Sequence, residues 1–162
     1  MRKVKIRCND FIELSSDILR RGGSFIFKAH GSSMVPFIRD GDMLTVIPVE
    51  FSDLRVGDVA LYRSEQNRAI VHRIMNKSVK DGRPMVMTRG DSSNYDDGWV
   101  RSEQLLGRVV SAQRGQKVRI LGKGFRSRMA RFWIMVHPIG PLLIGVILRI
   151  RHFLLHVPTL MP

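Results

Sequence analysis

SFIFKAHGSSMVPFIRDGDMLTVIPV, residues 24–49, holds two short apolar runs separated by a polar loop that carries two adjacent serines. SFIFKAHG and MLTVIPV have the length and the β-branched or aromatic content of strands, and Gly41-Asp42 ahead of the second reads as a turn. Outward from this stretch the pattern continues in DVALYR, AIVHRIMNKSV, PMVMTRG, LLGRVVSAQ and KVRIL, each bounded by Gly-Asp, Asp-Gly or polar turns. Gly-Asp recurs at 41-42, 57-58 and 90-91, and a tight turn accounts for each pair. Seven short runs between residues 24 and 121 predict a mainly β protein built on a coiled antiparallel β-sheet, not an α/β sheet.

Before the strands, Phe11, Ile12, Leu14, Ile18 and Leu19 recur at helical spacing. Asn9 and Asp10 are candidate N-caps for this short amphipathic helix, and Gly22-Gly23 would end it. After the strands, GKGFRSRMAR (122–131) reads as a basic linker, so the chain divides into a β domain at 1–121, the linker, and a tail at 132–162.

The tail begins with FWIMVHPIGPLLIGVIL, 17 residues (132–148) without a charge. A bilayer-spanning helix needs about 20 apolar residues, and Pro138, Gly140 and Pro141 interrupt this run. Interfacial or re-entrant attachment is the favoured expectation, ahead of a true span or a soluble packing arm. Residues 132–157 are therefore the expected membrane contact, as an apolar and basic helical tail, and the protein is expected to be membrane-associated. The formal net charge is +13, and residues 114–162 carry 9 Lys/Arg and no acid. Anionic lipid and nucleic acid both suit such a balance. Cys8 is the only cysteine, which excludes an intrachain disulfide and a thiolate metal cluster. The first 23 residues hold no apolar stretch long enough for the core of a secretory signal.

A serine hydroxyl is a weak nucleophile until a base takes its proton, so Ser32 and Ser33 carry chemistry only if partners exist. The chain offers His72 within IVHRI, then Asp91, Asp96 and Asp97 within TRGDSSNYDDG. Ile70, His72 and Ile74 alternate onto one face of the predicted strand, which sets the imidazole among apolar neighbours and favours its neutral form. Taken singly, each signal has an ordinary structural explanation. Ser-Ser after glycine is usually a turn, and a strand histidine is usually a hydrogen-bonded structural residue.

Their order carries more. GSSMVPFIRDGDMLTVIPV resembles the serine box of the signal peptidase I superfamily, which also includes LexA-type self-cleaving repressors. VGDVALYRSEQNRAIVHRIM resembles its second box, and TRGDSSNYDDGWV with LLGRVV resembles its Gly-Asp box and following strand. The likeness covers roughly residues 24–112. It implies a serine peptidase with the nucleophile directly before the methionine, at Ser33. The usual lysine of the second box is replaced by His72, which resembles the Ser-His-Asp branch of archaeal and endoplasmic-reticulum signal peptidases. By that resemblance Asp97 orients the histidine, Asp91 is a near second that supports the site, and the adjacent Asp96 leaves a one-residue ambiguity.

The expected function is a serine endopeptidase that cleaves signal or leader peptides from precursor proteins, with no metal and no cofactor. Oxyanion donors are expected at the Ser33 N–H and in the Gly31 and Ser32 region, and Met34 and Pro36 are expected to shape the substrate groove. A self-cleaving LexA-like regulator is an alternative. About 30 residues precede the serine box, too few for a helix-turn-helix domain and linker, so nucleic acid is not the expected partner. A non-catalytic, membrane-associated assembly factor on the same fold is the third reading.

Overall fold

A computed structural model describes residues 7–121; the expected linker and tail lie outside the described residues. The chain enters through helix α1 (Cys8–Arg20) and continues in eight strands: β1 (Phe25–Lys28), β2 (Met43–Ile47), β3 (Val59–Arg63), β4 (Ala69–Lys80), β5 (Arg83–Arg89), β6 (Trp99–Arg101), β7 (Leu105–Arg114) and β8 (Lys117–Ile120). The seven expected strands are all present, and the three-residue β6 adds an eighth.

Every pairing is antiparallel, in the order β1-β2-β7-β3-β4-β5-β6, with β8 on β7. β7 is the spine of this curled sheet, because β3 pairs along its first half and β8 along its second, while β2 pairs across both. β3 shows why the sheet curls. Val59 and Leu61 belong to one apolar cluster with Leu19, Met34 and Leu44, whereas Ala60 and Tyr62 belong to a second with Leu54, Ile74 and Val86. Alternation thus feeds two cores, and four consecutive residues of β3 are buried.

Helix α1 covers the first cluster through Leu19, with Ile18 and Phe11 packed against it, and the Phe11 ring meets Phe25 and Phe27 edge-on at centroid distances of 5.3 and 5.1 Å. Each buried aliphatic side chain is worth about 1.5 to 3 kcal/mol. The end of the helix follows expectation: Gly22 has φ +79°, and the N–H groups of Gly22 and Gly23 return to the carbonyls of Leu19 and Ile18. Its start differs. Arg7 is the N-cap, with no side-chain capping bond, so Asn9 and Asp10 lie inside the first turn. Asn9 instead accepts from Asn67 at 2.8 Å, and Asp10 accepts from Arg7 at 3.2 Å. Leu14 is exposed, because Ser15 takes the core-facing place and closes its hydroxyl onto the Ile12 carbonyl.

Two of the expected Gly-Asp turns share one construction. In Arg39–Asp42 and Arg55–Asp58 the glycine has positive φ, and the aspartate carboxylate accepts the arginine N–H at 2.9 and 3.0 Å. An arginine of β7 then caps each carboxylate, Arg114 on Asp42 and Arg108 on Asp58. Gly90-Asp91 opens the third expected turn, closed by Ser93 N–H on the Gly90 carbonyl at 3.0 Å, but Gly90 is not among the positive-φ glycines.

Candidate active site

The loop between β1 and β2 presents Ser33 on a tight turn. Val35 N–H donates to the Ser32 carbonyl at 3.1 Å, Ile38 N–H donates to the Met34 carbonyl at 2.9 Å, and the Val35-Pro36 peptide bond is cis. Met34 explains the orientation of its neighbour. Its side chain is buried in the first cluster, so the residue before it faces outward and Ser33 is exposed.

His72 comes from β4, opposite Ala60 of β3, and Asp97 from the loop between β5 and β6. His72 Nε2 lies 3.0 Å from Ser33 Oγ, and His72 Nδ1 lies 2.5 Å from Asp97 Oδ2. An ionised carboxylate only accepts, so Nδ1 carries the proton and Nε2 is left to accept from the serine hydroxyl. Burial pushes the Asp97 carboxyl up, but the hydrogen bond and charge of His72, with the hydroxyls of Thr88 and Tyr62, outweigh it and hold the group below its ordinary value.

The three acids of the Gly-Asp box go to different partners. Asp91 is buried and takes two bonds from Arg73, each 2.7 Å, while Arg73 also donates to the Gly57 carbonyl and stacks on the Phe37 ring. Asp96 lies 3.8 Å from Arg89. Only Asp97 among them contacts His72.

Of the expected oxyanion donors, Gly31 N–H is already bonded to Asp40 at 2.9 Å, which removes it from that role. The N–H groups of Ser32 and Ser33 have no partner among the described residues. Four further residues shape the site without having been singled out in the sequence. Ser92 donates from its N–H and its hydroxyl to the Ser33 carbonyl, and its hydroxyl also reaches Ser32 O. Gly90 packs against Ser33 and His72 so closely that a β carbon would not fit. Tyr62 and Thr88 both reach Asp97. The Gly-Asp-Ser-Ser run was a weak pointer to the first two; Tyr62 and Thr88 carried no signal within their apolar runs.

A cleft of about 520 Å³ opens beside Ser33 and His72, with Phe27, Met34, Ile38, Leu44 and Leu61 among its lining. Pro36, expected to line it with Met34, is exposed outside it. Two strand edges border the cleft. β1 pairs only with β2, and Ala69–His72 pair only with β3, because the register with β5 begins at Arg73.

A hydroxyl, an imidazole and a carboxylate linked in that order, beside an apolar cleft on a curled antiparallel sheet, define the class of the serine peptidases. The Peptidase S24-like family matches residues 3–110, two thirds of the chain, and the chain belongs to it. It is thereby a member of the superfamily that holds the LexA-type and signal peptidase I enzymes. No curated protein matched the chain.

Proposed function

We propose that this chain is a serine endopeptidase that removes signal or leader peptides from precursor proteins, with Ser33 as nucleophile, His72 as general base and Asp97 as the acid that orients the imidazole. The observation that carries this reading is the continuous contact from Ser33 Oγ through His72 to Asp97, at 3.0 and 2.5 Å. Ser33 Oγ attacks the scissile carbonyl carbon as His72 Nε2 takes its proton. The imidazolium, stabilised by Asp97, then protonates the leaving amine, and the acyl-enzyme remains. Water, deprotonated by His72, hydrolyses the ester and frees the serine.

Charge on the tetrahedral oxygen is met by the Ser33 N–H, with Ser32 N–H as second donor; one such donor is worth on the order of 3 kcal/mol of barrier. An extended precursor suits the cleft, because its backbone can pair with an open strand edge while alternate side chains turn toward the apolar floor. Residues 132–157 supply membrane attachment in this reading, which concentrates the enzyme with anchored precursors. Among the described residues no helix is long and apolar enough to cross a membrane.

Ser33→Ala and His72→Ala are each expected to abolish precursor cleavage and leave the melting temperature within a few degrees. Cleavage that survives in either variant rules out the pair. Deletion of residues 125–162 is expected to release the protein from anionic liposomes, and persistent binding would move the attachment elsewhere.

The family match favours one alternative, self-cleavage in the manner of a LexA-type regulator. Purified protein would then shorten at a rate independent of its concentration, and Ser33→Ala would remain intact.

A further inference from the structure

Tyr62 and Thr88 stand on either side of the histidine strand. Register sets Tyr62 of β3 opposite Ile70 and Thr88 of β5 opposite Ile74, so both flank His72 on one face of the sheet. They are 2% and 0% exposed, in and beside the apolar cluster of Leu54, Ala60, Ile74 and Val86. Phenylalanine and valine would fill the same space without a polar group to satisfy. A buried hydroxyl without a partner is costly, so the destination of these two decides what they are for.

Both converge on one atom. Tyr62 OH lies 3.2 Å and Thr88 Oγ1 3.0 Å from Asp97 Oδ2, the same oxygen that meets His72 Nδ1, and the two hydroxyls are 3.2 Å apart. Thr88 holds Asp97 a second time, because its carbonyl accepts the Asp97 N–H at 2.8 Å. That grip matters on a loop, where neighbouring backbone does not fix a side chain.

The charged groups around Asp97 are otherwise occupied. Arg89 is beside Asp96, and Arg73 is bound to Asp91, so among the described residues His72 is the only basic side chain in contact with Asp97. Two neutral donors can aim a carboxylate without neutralising it. An arginine in their place would compete with the imidazolium for its charge.

We infer that Tyr62 and Thr88 are positioning residues that clamp Asp97 Oδ2 onto His72 Nδ1 and keep the carboxylate charge for the imidazolium that forms during attack. The inference rests on the peptidase reading above and adds the two hydroxyls to it.

The test uses the full-length chain with Tyr62→Phe, Thr88→Val, Thr88→Ser and the Phe/Val double variant. Phosphonylation of Ser33 by a fluorophosphonate, in which the Oγ–P bond forms as fluoride leaves, reports the rate, and the proton NMR signal of the His72 Nδ1–H reports the clamp. Each of Tyr62→Phe and Thr88→Val is expected to slow maximal phosphonylation about tenfold, and the double variant about a hundredfold, with the half-saturating probe concentration within about twofold of wild type. The Nδ1–H signal is expected to move upfield in the same variants, and Thr88→Ser to restore both rate and signal. Unchanged rates, slower rates with an unmoved signal, or a serine variant that restores nothing would each overturn the inference. If Thr88→Val unfolds, Tyr62→Phe decides alone, since it removes one oxygen and keeps the ring. A wild-type Ser33 inert to the probe overturns the peptidase reading; the NMR signal then still reports whether the hydroxyls hold Asp97.

Discussion

Gly90 lies so close to Ser33 that a β carbon on it would stand 2.7 Å from the Ser33 carbonyl oxygen, 3.2 Å from Ser33 Cβ and 3.1 Å from His72 Nε2. The first distance is to backbone, which cannot swing aside as a long side chain can. Gly90→Ala is therefore expected to push Ser33 away from His72. Displacement of about 1 Å costs roughly a hundredfold in rate, and the overpacking costs about 1 to 3 kcal/mol of stability. Precursor cleavage and thermal melting of the same sample check both, and an alanine variant of wild-type activity would refute the close approach.

Asp91 and Asp97 are expected to fail in opposite ways. Asp91→Ala leaves the Arg73 guanidinium buried without its carboxylate, a loss of about 3 to 5 kcal/mol, so the chain unfolds at lower temperature or fails to fold. Replacing both partners, Arg73→Met with Asp91→Leu, is expected to recover most of that stability. Asp97→Asn keeps the fold but no longer holds Nδ1 as the protonated nitrogen, and a fall of about 10⁴ in kcat follows from the lost tautomer. Denaturant melts beside single-turnover rates separate the two; a stable Asp91→Ala chain with no activity would exchange the roles.

What could be read from the sequence follows the range of each physical signal. Alternation and turn residues are local, so runs such as AIVHRIMNKSV declared their strands directly. Trp99–Arg101 is too short to show a period, and β6 was missed. The pairing of β7 with β2 and β3 joins strands far apart in sequence, and no local pattern encodes it. The third Gly-Asp pair does open a tight turn, but what Gly90 supplies there is a missing side chain, and Gly-Asp looks the same when glycine supplies a positive φ. The resemblance of ordered boxes, with the spacing inside the last one, pointed to Ser33, His72 and Asp97, and the fold brings these three side chains into contact. Tyr62 and Thr88 sat in the apolar runs DVALYR and PMVMTRG, where one hydroxyl says nothing about its partner. Asn9 and Asp10 have cap-forming side chains, yet docking of Phe11 and Ile12 starts the helix at Cys8 and leaves them inside the first turn.

Acid is expected to destabilise the chain through Asp42. Two bonds from Arg114, each 2.7 Å, outweigh burial and hold this carboxyl below its ordinary value of 3.8. The folded chain thus binds the proton less readily than the unfolded chain. Stability from the pair is fully present above about pH 4 and is lost as pH falls through the folded value. Asp97 is lowered in the same direction and adds to the effect. Calorimetric melts from pH 7 to pH 2 are expected to show a drop beginning near pH 4. In Asp42→Asn the melting temperature is lower at pH 7 and the acid drop is shallower; an unchanged drop would place the acid-sensitive group elsewhere.

Ser92 ties the Gly-Asp box to the Ser33 turn. Its N–H donates to the Ser33 carbonyl at 2.9 Å, and its hydroxyl lies 3.0 Å from that oxygen and 3.1 Å from Ser32 O. Ser92→Ala removes the hydroxyl contacts and spares the backbone bond, so the turn loosens without coming apart. Ser92→Pro removes the backbone donor as well. The alanine variant is expected to lose about fivefold in kcat with KM nearly unchanged, since one neutral hydrogen bond of about 1 kcal/mol acts on orientation and not on cleft affinity. Proline is expected to cost more, and Ser92→Thr, which keeps the hydroxyl, to stay within about threefold of wild type. Steady-state kinetics on one precursor peptide checks the series. Equal rates for the alanine and threonine variants would show that the backbone bond alone holds the turn.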